Sequence, residues 1–265
     1  GGRTDSLGFF TALVDSAVWD VSVIPPLLSR RVPVLIPGVD LRGDLALGNI
    51  TVATGALVQG TVTDLGFFPV ADADLDVRPA GGGAKRFTPQ DNTAPDGSWG
   101  LVLPAGVWDI TADAPPAQPY ASATAWSVAT SGTDVAVPNL ALPPGVQFRG
   151  RCVNGVAAGI AGVDVDVDSL PYGRRLATAN DVSDATGQFQ TLVSAWKFRV
   201  TLAPPVTTKL LPVRLDSLQV TAATDLGNVV FPAGHWVGGT VVEAGTGLPI
   251  VGANLDFVRV STGAA

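Results

Sequence analysis

The residues able to do nucleophilic or acid–base chemistry are few in this 265-residue chain: one histidine, His235, and one cysteine, Cys152. A Ser–His–Asp or Cys–His relay needs a histidine held against both a nucleophile and an orienting group. His235 stands in the turn-rich run Pro-Ala-Gly-His-Trp-Val-Gly-Gly, which reads as a linker. Cys152 occupies the place that Val62 and Val241 hold in two similar stretches. It therefore reads as a small buried hydrophobe rather than a nucleophile. No catalytic centre is expected from these residues, and the chain is read as not an enzyme.

Carboxylates are the other candidates for chemistry. Asp164, Asp166 and Asp168 alternate along what reads as a strand. Residues at i, i+2 and i+4 on a strand spread over roughly 13 Å, too far to share one ion. They are expected on a solvent face. Two loops gather oxygen donors more closely: Asp91, Asn92 and Asp96, then Asn180, Asp181 and Asp184. Such sets suit a hard cation such as calcium. Turn formation uses the same residue types without any metal. The loops are weak metal candidates, and the expectation is no cofactor.

Composition narrows the class. Net charge is −7 with only 15% charged residues, and mean hydropathy is +0.34. Nucleic acid needs a Lys/Arg excess and is excluded as an expected partner. No run approaches the 18 apolar residues of a membrane span. One cysteine rules out an internal disulfide, so stability must come from packed cores. Methionine is absent, which reads as a processed or excised product. With 31 glycines and 21 prolines, the chain suits many short strands joined by turns.

Three landmarks repeat along the chain. SLGFFTALVDSAVWDVSVIPP, DGSWGLVLPAGVWDITADAPP and DATGQFQTLVSAWKFRVTLAPP align with Trp19, Trp108 and Trp196 at spacings of 89 and 88. GTVTD, GRCVN and GTVVE begin at Gly60, Gly150 and Gly239, spacings of 90 and 89. The runs containing Gly48-Asn49, Pro138-Asn139 and Gly227-Asn228 join them. Within one period apolar and polar residues alternate, as at Ala73, Leu75 and Val77 or Trp108, Ile110 and Ala112. Period two with one apolar face means half-buried strands. Strands are expected near 59–64, 71–78, 84–88, 98–103, 107–113, 121–129 and 133–142, with Pro104-Ala105-Gly106 as a hairpin turn.

The predicted fold is all-β: tandem seven-stranded Ig-like or prealbumin-like sandwiches of about 89 residues each. The expected division is 1–58, the back part of a repeat; 59–146 and 147–237, complete repeats; and 238–265, the front part of another. The tryptophans Trp19, Trp108 and Trp196 are expected in repeat cores, with Trp108 matching Trp196 and Ile110 matching Phe198. Trp126 and Trp236 do not recur and are candidates for contacts between domains or chains.

The runs Gly60-Thr61-Val62-Thr63-Asp64, Asp96-Gly97-Ser98-Trp99 and Leu103-Pro104-Ala105-Gly106-Val107-Trp108 resemble the carboxypeptidase regulatory-like domain. That family is similar to transthyretin-like and collagen-adhesin B-type surface repeats. The resemblance implies a prealbumin-like sandwich of the kind found in stalks, adhesins and accessory modules. Some collagen-adhesin repeats carry a Lys–Asn isopeptide bond. Lys85, Lys197 and Lys209 do not correspond between repeats, so the cross-link is not expected.

Neither end part can bury its own face. The tail joined to the head of a second copy restores the period. Phe10, Val14, Trp19 and Val21 are therefore expected to meet Leu255 and Phe257 across an inter-copy interface. The functional expectation is a structural subunit or segment of an extracellular or cell-surface fibre, stalk or sheath. Its partners would be copies of itself or adjoining repeats of one long chain. The alternatives are an adhesin array that binds glycan or protein, and an accessory region of a secreted enzyme.

Overall fold

A computed structural model describes residues 2–115, 118–176, 178 and 180–255. The described residues form strands and two single 3-10 turns, at Leu27–Ser29 and Val206–Thr208. Strands β1 (Val18–Val23) and β2 (Val34–Asp40) make a two-stranded antiparallel sheet.

Two sandwiches follow. In the first, β3 (Ala56–Asp64) pairs antiparallel with β5 (Ser98–Leu103), and in parallel with β8 (Val135–Ala136) and β9 (Leu140–Leu142). Its facing sheet runs β4 (Asp74–Pro79), β6 (Gly106–Asp113), β7 (Ala123–Thr130). Val62, Leu75, Trp99, Leu103 and Ile110 fill the space between them. In the second, β10 (Val146–Val153) lies between β13 (Gln188–Val193) and β16 (Thr224–Val230). The sheet of β11 (Asp164–Ser169), β12 (Arg174–Arg175), β14 (Trp196–Ala203) and β15 (Val213–Val220) faces it across Phe148, Cys152, Phe189, Phe198 and Val200.

The same backbone contacts recur along the chain. Ser29, Gln118 and Thr208 each donate to a proline carbonyl three residues back, at Pro26, Pro115 and Pro205. Bridges join Arg31 to Thr54, Tyr120 to Pro144 and Leu210 to Ala233. Turns close on Asp64, Asn154 and Glu243, with Phe67, Ala157 and Gly247 at positive φ. These landmarks are spaced 89 to 90 residues apart.

Four expectations are corrected by the structure. Pro104-Ala105-Gly106 does not close a hairpin, because β5 and β6 lie in opposite sheets. Pro104 has no N–H with which to continue a ladder. Its carbonyl instead accepts the Trp108 indole at 3.2 Å and the Thr130 hydroxyl at 2.6 Å, which fixes a corner between the sheets. Residues 84–88 form no strand; Arg86 N–H donates once to Val77 after three glycines at positive φ. The last expected strand, 133–142, is split at Pro138, where a donor is missing.

The fourth correction moves a tryptophan. A bulge interrupts the hairpin at Trp19/Val21, at Trp108/Ile110 and at Phe198/Val200. Opposite it, Gly38, Ser127 and Ser217 all have positive φ. Trp108 therefore corresponds to Phe198, and Ile110 to Val200. Trp196 stands two residues earlier, at the place of Gly106, and is 50% exposed rather than in the core. A two-residue slip preserves strand parity, so alternation does not reveal it.

Candidate functional site

The sequence-predicted chemical residues are not brought together. His235 is exposed in the segment after β16. Cys152 is fully buried on β10, and burial pushes its thiol up to about 11. It faces Ile160 and Phe189 in an apolar core, where a thiolate would have no partner charge.

The oxygen-rich loops are occupied with their own backbones. Thr88 donates to Asp91 at 2.7 Å, and Thr178 donates to Asp181 at 2.6 Å. Burial raises both carboxyls above the ordinary aspartate value, and the threonine hydrogen bonds oppose it. Asn92 donates to the Asp72 carbonyl, while Asn180 holds a left-handed backbone turn. Asp96 accepts from the Ser98 amide and hydroxyl, and Asp184 from Thr186 and the Gln188 amide. Those hydrogen bonds hold both carboxyls below the usual range. Among the described residues no group of three His, Cys, Asp or Glu side chains is placed to hold a metal.

The alternating aspartates have a partner that the sequence reading missed. Arg175 pairs with Asp166, and with Asp168 at 3.1 Å. Lys85, 90 residues earlier, pairs with Asp76, and with Asp74 at 3.6 Å. One basic residue thus spans two carboxylates on a strand face in each sandwich. The recurrence of Lys85 and Arg175 after a glycine-containing turn was the available signal.

Trp126 lies under the Arg174 guanidinium, 5.3 Å from ring centre to carbon. A 60 Å³ cavity between β7 and the second sandwich is lined by Ser122, Thr124, Trp126, Leu176 and Leu192. Its size admits a water or two, not a ligand. Trp236 is exposed. A larger open groove of about 440 Å³ runs over β10 beside Arg149, Arg151 and Gln190. Arg149 is engaged by Asp225 at 2.9 Å, and Arg151 by the Thr186 carbonyl at 3.1 Å.

The distinctive surface is a pair of unpaired edges. In both complete sandwiches the first strand pairs with the strand that precedes the corner: Gly60 opposes Trp99, and Gly150 opposes Phe189. A Cβ on Gly60 would lie 2.8 Å from the Trp99 ring, and one on Gly150 would lie 2.9 Å from the Phe189 ring. The same sequence position is Gly239, where a Cβ would meet nothing within 4 Å. The matching aromatic, Phe10, has no strand opposite it among the described residues and is 42% exposed. Val14 and Trp19 are likewise open, Val21 is half-buried, and Leu255 is exposed. Phe257 lies outside the described residues.

A second match is polar. Thr93 Oγ accepts from Ala73 N–H at 2.9 Å and donates to the Val70 carbonyl at 2.7 Å. Ser183 makes the same pair of bonds with Val163 and Ile160. The corresponding residues are Thr4, exposed at one end, and Ile250 and Ala253, exposed at the other.

No protein-family model matches the chain, and no curated protein matches it. Among solved structures it is similar to the Bacillus anthracis TIE protein, at 11% identity and a TM-score of 0.28. That match covers 68% of this chain and 34% of the other, so the chain spans about a third of that protein's length. A streptococcal ancillary pilin matches at 14% identity and a TM-score of 0.25, over 76% of this chain and 70% of the pilin. The shaft pilin SpaA from Lactobacillus rhamnosus GG matches at 10% identity and a TM-score of 0.28, over 70% and 100%. The described residues are a string of β-sandwich units, and no helix among them is long and apolar enough to cross a membrane.

Proposed function

We propose that the chain is a structural segment of an extracellular or cell-surface fibre, propagated head to tail. The segment 238–265 of one copy would complete the sandwich begun by residues 1–58 of the next. The observation that carries this reading is the matched vacancy at Gly239 and Phe10, a cross-strand pair already filled twice within the chain. Burying Phe10, Val14 and Trp19 would each contribute roughly 1.5–3 kcal/mol. Added edge strands would also satisfy open backbone groups. A head-to-tail contact of this kind does not close on itself and yields a filament. Three units laid end to end give an axial repeat on the order of 100 Å, from strands of about eight residues at ~3.3 Å plus loops.

The test is Gly239→Val in the 265-residue chain. A Cβ there meets nothing within 4 Å among the described residues, so the melting temperature of dilute protein should not change. In the filled pair it would strike the Phe10 ring, so concentration-dependent association seen by sedimentation should be lost. Unaltered association in the variant contradicts this joint.

A further inference from the structure

Three junctions follow one another along the string, and each is built from the same positions. At the first, between β2 and the sandwich of β3, Gly55 N–H donates to the Arg30 carbonyl at 2.8 Å. Gly145 donates to Pro119, and Gly234 to Lys209, both at 2.7 Å. Arg30, Pro119 and Lys209 are therefore equivalent, and Arg30 and Lys209 share a left-handed backbone, φ 52° and 56°. At the first junction the Arg30 guanidinium Nε lies 2.8 and 3.1 Å from the two carboxylate oxygens of Asp134. Asp134 also accepts the Leu57 amide at 3.2 Å, tying the pair to the first residues of β3.

The partner position can be followed through the same bridges. Asp134 lies ten residues before Pro144; ten before Ala233 is Ala223, and ten before Thr54 is Asp44. The first junction thus carries Arg30 with Asp134. The second carries Pro119 with Ala223, so both charges are absent together. At the third, Lys209 is in place and exposed, and among the described residues it makes no salt bridge. The residue that would face it belongs to the unit that residues 2–55 begin, and it is Asp44, also exposed. Charge is present on both sides or on neither.

The apolar contacts follow the same rule. A Cβ on Gly55 would touch Val32 and Val102, and one on Gly145 would touch Leu192. At the third junction the atoms nearest a Cβ on Gly234 belong to Leu211 and the Lys209 carbonyl. Leu211 is exposed there, and Leu13, which corresponds to Val102 and Leu192, is fully exposed.

We infer that Lys209 of one copy pairs with Asp44 of the next, beside a contact of Leu211 with Leu13, and that this ion pair sets the register and partner choice of the joint. This rests on the head-to-tail reading and names the groups that enforce it. Opposite charges across an interface suppress wrong partners more than they add affinity.

Charge reversal tests it without threatening the fold, since both residues are exposed. Lys209→Asp alone faces Asp44 with a like charge, and Asp44→Lys alone faces Lys209 with a like charge. Each variant by itself should associate about three- to tenfold more weakly at low salt, as expected for a partly exposed pair. Mixed in equal amounts, the two variants should recover wild-type association, because every joint then joins opposite charges in strict alternation. The double variant should also recover. The loss should shrink as salt is raised. If both single variants associate like wild type, the ion pair is overturned while head-to-tail assembly stands. If both weaken but the mixture does not recover, the two residues do not face each other and the inference also fails. A wild-type chain that stays monomeric overturns both readings.

Discussion

The first sandwich and the half unit that precedes it share a repeat pattern and differ in what they bury. Trp108 is 8% exposed and its counterpart Trp19 is 39% exposed. Trp99 is 6% exposed against 42% for Phe10, and Leu103 is fully buried against 44% for Val14. Around the bulged hairpin the local structure is the same. The Trp108 indole donates to the carbonyl four residues back, at Pro104, and Trp19 donates to Asp15 in the same way, both at 3.2 Å. Both strands carry the same bulge, and Asp20 and Asp109 each accept the amide of the residue opposite it. Alternation and turn chemistry fix the strand and its corner. Burial depends on β3 and β4, which residues 2–55 do not contain.

The strongest way to sharpen that contrast is to truncate both tryptophans. Trp108→Ala should cost about 3–5 kcal/mol in a urea melt of the chain, the usual range for a buried aromatic. Trp19→Ala should cost under about 1 kcal/mol in dilute protein, where its face is open. Equal costs would mean that the half unit finds its own cover. Next in size is Gly60→Ala. Its methyl would press on the Trp99 ring from 2.8 Å, so a loss of about 1–3 kcal/mol is expected.

A smaller effect separates Trp99 from Trp108. Among the described residues the buried Trp99 indole N–H has no hydrogen-bond partner, whereas Trp108 Nε1 donates to Pro104 and Thr130. Phenylalanine stands at the equivalent positions Phe10 and Phe189. Trp99→Phe sheds an orphan donor, which offsets the lost contact area. Its net change should fall within about 1 kcal/mol and below that of Trp108→Phe.

The smallest effect is local and depends on pH. The Arg30 hydrogen bond holds the Asp134 carboxyl below its ordinary value. A depressed folded value means that the contribution is present above the ordinary aspartate range and is lost as pH falls through the lowered one. Hydrogen exchange at the Leu57 amide, which donates to Asp134, should accelerate over that interval. Gln147, whose junction carries Ala223 in that place, should show no such change.

Much of the fold was legible because period-two patterning and a period near 89 residues both survive in the sequence. The strands around Leu75, Trp99 and Ile110 were readable for that reason. Sheet membership was not, since Pro104-Ala105-Gly106 has the composition of a hairpin and serves as a corner. Trp196 was misplaced because identity with Trp108 outweighed a two-residue slip that leaves alternation intact. Phe198, fully buried under the bulge, is the true counterpart. The junction residues Arg30, Asp134, Lys209 and Asp44 carried no motif. Their equivalence rests on which carbonyl a glycine amide reaches, information held in the backbone.

In the proposed assembly the first strand of a unit, near Gly239, lies beside Thr11 of another copy, as Gln59 lies beside Gly100 and Arg149 beside Gln190. These pairs alternate with the inward-facing Gly60–Trp99 and Gly150–Phe189 pairs, so cysteines at Gly238 and Thr11 would not disturb the core. Cys152 is buried with a raised thiol value and does not compete. The double variant Gly238→Cys, Thr11→Cys should, under mild oxidation, give a reducible ladder of covalent oligomers on a denaturing gel. A chain that closes on itself and runs as an oxidised monomer, or two thiols that never pair, would contradict the account.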